Sequence, residues 1–190
     1  MPRRTANLCT EAGIQGPIKY SFPPVAASDA LLLVLGTLPG DESLSRQQYY
    51  GHKHNSFWRL ICAVFAEAPP SAYADREALL KRNRCALWDV LMSAERIGSS
   101  DAAIRNACAN DFAQFFGSYP SIKTIAFNGQ KAEALFRRYV LKPGIVPAER
   151  FRMLALPSSS PLYTLQFEKK LAIWQAGLAA QVAPNARMSR

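Results

Sequence analysis

The sequence predicts an α/β protein, a three-layer α/β/α sandwich around a central, mainly parallel four-stranded sheet. Four short apolar runs alternate with segments whose apolar residues have helical spacing, which is typical of βαβ units. The first run, residues 31–36, is apolar throughout and stops at a Gly/Pro turn, as expected of a strand buried on both faces. The 190 residues, 49% of them hydrophobic, have room for one domain with a sizeable core.

The individual elements follow from these patterns. The expected strands are residues 31–36, 84–90, 122–127 and 151–156. The expected helices cover residues 56–67, 72–82, 129–141 and 165–181. One or two further short helices are expected within residues 100–117, with four side chains pointing inward: Ile104, Phe112, Phe115 and Phe116.

The domain organisation is simple. Residues 1–28 contain few periodic apolar positions and end in Phe22-Pro23-Pro24, so we expect an extended arm that partly covers the domain. Residues 29–182 are expected to form a single α/β domain. Residues 183–190 have the composition of a frayed basic tail.

Charge and cysteine content narrow the function classes. The formal net charge of +9 fits a protein that meets a polyanion, although a basic protein without such a partner fits it equally well. The four cysteines contain no CxxC pair, so no metal site is expected, and Cys62 and Cys85 have the setting of buried reduced thiols. No membrane span or signal-peptide core is found, and we expect a soluble, cytoplasmic protein.

The four expected strands end in segments that meet at the carboxyl edge of the sheet, where open α/β sheets bind ligands. The first is residues 36–40, Gly-Thr-Leu-Pro-Gly, whose glycines allow backbone N–H groups to approach a ligand, unless it is an ordinary turn. Asp89 ends the second strand and is either a cap or a recognition group. Asn128 ends the third and either caps the next helix or contacts a ligand.

The fourth strand ends in a Ser/Pro loop. Small hydroxyls in such a loop suit a DNA phosphate, and the apolar residues after them can project outward. No GxSxG elbow surrounds these serines, which disfavours a serine nucleophile. The DNA-contact candidates are Ser158, Ser159, Ser160, Pro161, Leu162 and Tyr163.

A dense set of amides, aromatic rings and imidazoles follows the first loop. Side chains of these kinds suit a planar heterocycle next to a phosphate. The set comprises Gln47, Gln48, Tyr49, Tyr50, His52, His54 and Asn55.

Three motifs resemble the uracil-DNA glycosylase superfamily, and within it the family 6 hypoxanthine-DNA glycosylases. LGTLPGDESLSRQQYYGHKHNSFW resembles that branch's first motif and the run after it, while AFNGQKA and LPSSSP resemble the later strand motif and the closing DNA-contact loop. The resemblance covers about residues 17–180. It implies a monomeric, cofactor-free, monofunctional enzyme that flips a deaminated base out of double-stranded DNA.

The resemblance assigns the chemistry to Asn55, the Asn before Phe-Trp, which would position the attacking water. The mismatch-specific branch usually carries Gly-Ile-Asn-Pro-Gly in the first motif, and the position of that Asn is Leu38 here, which cannot orient water. Asn55 is also expected to cap the helix that starts after it. His52 or His54 would stabilise or protonate the leaving purine, or else contact a phosphate.

Base recognition is expected to combine side chains and backbone. An anionic Asp89 or the Asn128 carbonyl would accept from N1–H of hypoxanthine, and N–H groups near Thr37 and Leu38, or the Asn128 amide, would donate to O6. The rest of the base pocket is expected to come from Gly36 and Pro39, with one of Tyr49, Tyr50 or Phe127 stacking on the base.

Two other functions stay open on the sequence alone. Uracil presents the same donor and acceptor edge as hypoxanthine, so the fold could serve a uracil-DNA glycosylase. A non-catalytic nucleic-acid-binding module could also have kept the pocket and lost turnover.

Overall fold

The structure is a computed structural model that describes residues 16–182, with side chains as far as Leu178. The strands are β1 (Ile18–Tyr20), β2 (Leu32–Gly36), β3 (Cys85–Asp89), β4 (Leu91–Glu95), β5 (Arg105–Ala109), β6 (Thr124–Asn128) and β7 (Arg152–Leu156). The helices are α1 (Asp41–Arg46), α2 (Phe57–Val64), α3 (Tyr73–Arg82), α4 (Phe112–Ser118), α5 (Gln130–Phe136) and α6 (Phe167–Val182).

The central sheet has the order β3-β2-β6-β7, and all its strands are parallel. In this register Gly36 pairs with Asp89, and Asn128 pairs with Leu156. All four strands therefore end at one edge, and the expected fold class is confirmed. The predicted strand limits differ from the observed ones by no more than two residues.

Helices cover the central sheet because every residue of β2, β3 and β6 is buried and needs apolar partners on both faces. On α2 and α6, the rings of Phe57 and Trp174 meet edge to face at 6.0 Å. On α4 and α5, Phe112 and Phe136 meet in the same way at 5.1 Å. These aromatic pairs fasten the helices to each other over the sheet.

A second sheet, antiparallel and ordered β1-β4-β5, was not expected. Within residues 100–117 the structure contains two short helical segments, a 3₁₀ turn, Asp101–Ala103, and α4, as expected, and the four side chains expected to point inward are buried. The residues between these two segments were not expected to form a strand. Residues 105–109 instead form β5, which pairs with β4 in an irregular register. Pairing with β4 decides the conformation of this segment, and a local apolar pattern does not report such a partner.

The described part of the N-terminal arm is integrated into the fold. β1 pairs with β4, and Val25 forms an isolated bridge with Leu87. The arm's first 15 residues and the tail at 183–190 lie outside the described residues.

Of the cysteines, Cys62 and Cys85 are free and buried, as expected. Cys108, by contrast, takes part in a disulfide bond. None of the helices in residues 16–182 is long and apolar enough to cross a membrane.

Candidate active site

A pocket of about 520 Å³ opens at the carboxyl edge of the central sheet. This volume is within the usual range for small-molecule sites. Most of the residues predicted for the site line it: Gly36, Thr37, Leu38, Pro39, Tyr49, Tyr50, His52, Asn55, Asp89, Asn128, Ser158, Ser159, Ser160, Pro161, Leu162 and Tyr163.

Phe127 is the exception among the predicted base-binding residues. Its side chain is fully buried, and its ring packs against Phe136 with 5.4 Å between centroids. Because successive side chains of a strand point to opposite faces, Asn128 meets the pocket while Phe127 joins the core. Phe127 is therefore not in a position to stack on a ligand in this pocket, which leaves Tyr49 and Tyr50 as the candidates.

The floor of the pocket is formed where Tyr50 and Asp89 approach Gly36. A Cβ atom on Gly36 would lie 2.5 Å from Asp89 Oδ1 and 2.8 Å from the Tyr50 hydroxyl oxygen, so only glycine fits here. The Tyr50 ring is stacked on Phe57 at 4.0 Å, which holds its hydroxyl at this place. The Tyr50 hydroxyl and Asp89 Oδ2 are buried and have no hydrogen-bond partner among the described residues.

Unpaired buried polar groups are costly, by about 1–3 kcal/mol each. Burial raises the pKa of Asp89 to about 8, with a further increase from the negative charge of Asp101 and an opposing effect of Arg96. Asp89 is therefore mainly protonated at pH 7, which differs from the expected anion. A neutral carboxyl group carries one donor and one acceptor, whereas the anion would offer acceptors alone.

Asn55 is held by the start of α2. Its Oδ1 accepts a hydrogen bond from the backbone N–H of Phe57 at 3.0 Å, and its own N–H donates to the His52 carbonyl at 2.9 Å. The helix starts one residue later than expected and Ser56 is its N-cap residue, so Asn55 is not the N-cap but bonds the first backbone N–H of α2 from the position before it. The Nδ2 group of Asn55 donates to no acceptor among the described residues, and Asn55 lines the pocket.

His52 has a defined orientation beside Asn55. Its Nδ1 accepts a hydrogen bond from the backbone N–H of His54 at 3.1 Å, so the proton of the neutral ring is on Nε2. Nε2 lies 3.6 Å from Glu42 Oε2. His54 is exposed and does not contribute to the pocket wall.

The loop after β7 is fastened to two other elements. Asn128 Nδ2 donates to Ser159 Oγ, and Asn128 Oδ1 accepts from the backbone N–H of Ser159, both at 2.8 Å. The Ser159 carbonyl accepts from the N–H and the hydroxyl of Ser56, both at 3.0 Å. Beyond this anchor, Leu162 and Tyr163 are exposed at the mouth of the pocket.

The family model described as "Uracil DNA glycosylase superfamily" matches residues 23–178 of the chain. The chain belongs to the uracil DNA glycosylase superfamily.

Relatives of this superfamily member are known from two archaea. A protein of Methanosarcina barkeri named hypoxanthine DNA glycosylase is 41% identical over 115 residues, which are 60% of this chain and 73% of that protein. A protein of the same name from Methanosarcina acetivorans is 39% identical over 135 residues, 69% of this chain and 85% of that protein. A solution NMR structure from M. acetivorans, provisionally named a uracil DNA glycosylase, matches with a TM-score of 0.73 and 34% identity, covering 87% of this chain and 99% of that one.

Sequence patterns did not predict part of the pocket wall of this superfamily member. Besides Gly40 of the predicted first loop, the lining also includes Glu42, Ser43, Ser99, Ser100, Asp101 and Ala102. Four of these belong to the connection between β4 and β5, two strands that were not predicted. The available signal was the Gly98-Ser99-Ser100 turn with charged residues, Arg96 and Asp101, on either side.

No group of three or more His, Cys, Asp or Glu side chains within residues 16–182 is arranged to hold a metal ion.

Proposed function

We propose that the protein is a monofunctional DNA glycosylase that removes a deaminated base, hypoxanthine above all, from double-stranded DNA. The observation that carries this proposal is the pocket floor, where a neutral Asp89 and the Tyr50 hydroxyl lie buried without partners beside the lining residue Asn55. The names of the two archaeal relatives point to the same base.

A base inside a duplex cannot reach such a pocket, so the nucleotide must be flipped out of the stack. The lost stacking costs a few kcal/mol, and least for a mispaired base. The exposed Leu162 and Tyr163, with Pro161 before them, are suited to filling the vacated space. Ser158 and Ser160 sit at the same mouth and can contact the neighbouring phosphates, while Ser159 is occupied with holding the loop.

Recognition of hypoxanthine follows from its edge, which has a donor at N1–H and an acceptor at O6. The carbonyl oxygen of the neutral Asp89 accepts from N1–H, and backbone N–H groups of Thr37 and Leu38 donate to O6. Adenine would turn its 6-amino group toward those fixed N–H donors, which leaves donors facing each other unpaired. The neutral Asp89 carboxyl group carries a donor and an acceptor, so by itself it could pair with hypoxanthine or with adenine. The backbone N–H donors therefore discriminate between these two bases.

In the chemical step, the bond between C1′ and the base nitrogen breaks and the electron pair leaves with the base. Water supplies the hydroxyl group that bonds to C1′, and its proton ends on the released base. Asn55 orients this water, and stabilisation of the departing negative charge supplies much of the acceleration. His52 presents its Nε2–H near Glu42 as a donor on the same side of the pocket.

A panel of duplexes tests this function, each carrying hypoxanthine, uracil, xanthine or a thymine mispair. We expect base release with hypoxanthine to be fastest. Faster release of uracil would make the protein a uracil-DNA glycosylase of the same fold. No abasic site on any duplex, with enzyme in excess, would leave only a nucleic-acid-binding module.

We further propose that the protein acts as a monomer in the cytoplasm. The free thiols of Cys62 and Cys85 fit a reducing compartment, whereas the disulfide at Cys108 weighs against it. Light scattering measures the mass in solution, and fractionation of the source cells locates the protein. A dimer mass would refute the monomeric state. Recovery of the protein in the secreted fraction would refute the cytoplasmic location.

A further inference from the structure

Arg96 lies directly behind the loop of residues 36–40 and is 1% exposed. It follows β4, so it approaches the loop from the second sheet. Its Nη1 donates to the Leu38 carbonyl at 3.2 Å and its Nη2 donates to the Pro39 carbonyl. Nη1 also lies 3.4 Å from Asp101 Oδ1. A buried guanidinium is costly unless acceptors bond to it, and two of its three acceptors here belong to the pocket loop, while its Nε has no partner among the described residues.

Two further carbonyls of the loop are engaged by β4 and the residue before it, whereas the Gly40 carbonyl accepts from the Leu44 N–H of α1. Gly36 O accepts from the N–H of Val90 at 2.9 Å, and Thr37 O accepts from the N–H of Leu91 at 3.1 Å. With the two carbonyls bound by Arg96, four successive carbonyl groups are thus held by β4 and the residues adjoining it.

The N–H groups of the loop point in the opposite direction from its carbonyls. In a trans peptide the N–H points away from the C=O, so holding the carbonyls behind the loop turns these donors forward. Among the described residues, the N–H groups of Thr37, Leu38 and Gly40 donate to no acceptor, and all three residues line the pocket. The Pro39–Gly40 peptide is polarised by Arg96, which strengthens the Gly40 N–H as a donor.

Asp101 links the Thr37 side chain of the loop to the Arg96 guanidinium. Its Oδ1 accepts from the Thr37 hydroxyl at 2.8 Å as well as facing Arg96. Asp89 and Asp41 are the other carboxyl groups whose charges act on Arg96. Asp101 is thus the ion-pair partner that keeps the Arg96 guanidinium in place behind the loop.

We propose that Arg96 is a positioning residue of the glycosylase reaction, which holds the carbonyls of Leu38 and Pro39 so that the N–H groups of the loop receive the leaving base. This inference rests on the proposed function. It predicts that Arg96 acts on the rate of bond cleavage and much less on DNA affinity, because the phosphates are contacted elsewhere.

The test uses the full chain and a duplex with one inosine, with enzyme in excess so that a single turnover is measured. Arg96→Met removes both donors and the charge, and Arg96→Lys keeps the charge with a single point donor. Arg137→Met, an exposed residue of the turn after α5 outside the pocket wall, is the control for the loss of one positive charge. Binding is measured with a duplex carrying the non-cleavable 2′-fluoro-arabino analogue of inosine.

We expect Arg96→Met to slow base release about 100-fold, the size seen when one donor to a developing charge is lost. Its Kd should stay within about threefold, Arg96→Lys should restore part of the rate, and Arg137→Met should match the wild type. A folded Arg96→Met variant with a rate within threefold of the wild type overturns the inference, as does a loss confined to Kd. If Arg96→Met does not fold by circular dichroism, Arg96→Lys decides, since a wild-type rate in it leaves no positioning role. A wild-type protein without base release refutes the proposed function itself, which is a different outcome.

Discussion

The carboxamide of Asn128 and Ser159 are joined by two hydrogen bonds of 2.8 Å: Asn128 Nδ2 donates to the Ser159 hydroxyl oxygen, and Asn128 Oδ1 accepts from the Ser159 backbone N–H. Both residues are buried, at the end of β6 and in the loop after β7. This pair uses the oxygen and the nitrogen of the amide at once. Both polar atoms of the Asn128 amide are thereby engaged with the loop after β7. Under the proposed function, recognition of the base is then left to Asp89 and the backbone.

Replacing Asn128 with Ala should therefore act on stability as well as on activity. The change leaves the Ser159 N–H and hydroxyl buried without partners, which we expect to lower the free energy of unfolding by about 1–3 kcal/mol. Thermal and urea unfolding measure this. Ser118→Ala is the control, because that exposed hydroxyl bonds only to the Gln114 carbonyl in its own helix. Equal stabilities of the two variants would contradict the role of Asn128 as the anchor.

Asn55 combines two roles that substitutions can separate. Asn55→Ala should remove the side-chain acceptor of the first N–H of α2, at about 1 kcal/mol, and lower the single-turnover rate on inosine DNA at least about 100-fold. Asn55→Asp keeps an oxygen to accept from Phe57 N–H but has no Nδ2 group. We expect this variant to recover the stability and not the rate. Full activity in either variant would refute the assignment of water positioning to Asn55.

Asp89 should make stability and activity depend on pH. Because its pKa in the folded protein, about 8, is above that of the unfolded chain, its contribution is fully present below the unfolded pKa and is lost as the pH rises toward 8. Stability of the wild type should thus fall, by on the order of a few kcal/mol, relative to Asp89→Asn between pH 4 and pH 9. Urea unfolding across this range measures the difference.

The same group should shape the pH profile of base release. The wild-type rate should fall above about pH 8, where Asp89 ionises, while Asp89→Asn, which keeps a donor and an acceptor, should give a flatter profile. Single-turnover rates from pH 6 to pH 9.5 test this. Identical profiles for the two proteins would show that Asp89 does not read the base in its neutral form.

Leu162, which is 71% exposed, is expected to fill the space that the flipped nucleotide vacates in the base stack. Lys170 supports its loop from below by donating to the carbonyls of Tyr163 at 2.8 Å and Ser160 at 3.4 Å. Leu162→Ala should slow base release from a duplex about tenfold and leave single-stranded inosine DNA little affected, because only the duplex must be opened. Its thermal stability should be unchanged.

Met92→Ala, at an exposed position of the second sheet, is the matched control for Leu162→Ala. Equal losses on duplex and single-stranded DNA in Leu162→Ala would argue that this side chain contacts the base and does not fill the vacated stack.

Much of the fold and the site could be predicted from local patterns. The apolar runs identified the four parallel strands, and topology then required that Gly36, Asp89, Asn128 and the Ser/Pro loop meet at one edge. The position of Asn55 before an amphipathic helix indicated that its side chain bonds the start of that helix, although Ser56 is the N-cap residue. These features depend on the period and burial of neighbouring residues, which a sequence displays directly.

The tertiary structure alone decided four other features. It placed Phe127 in the core, turned Asn128 toward Ser159, made Asp89 neutral, and brought Arg96 and Asp101 behind the first loop. Each depends on partners far away in the chain, since Arg96 reaches Leu38 across 58 positions. Hydrogen-bond partners and protonation states follow from which groups meet in a low-dielectric interior, and no local pattern encodes that meeting.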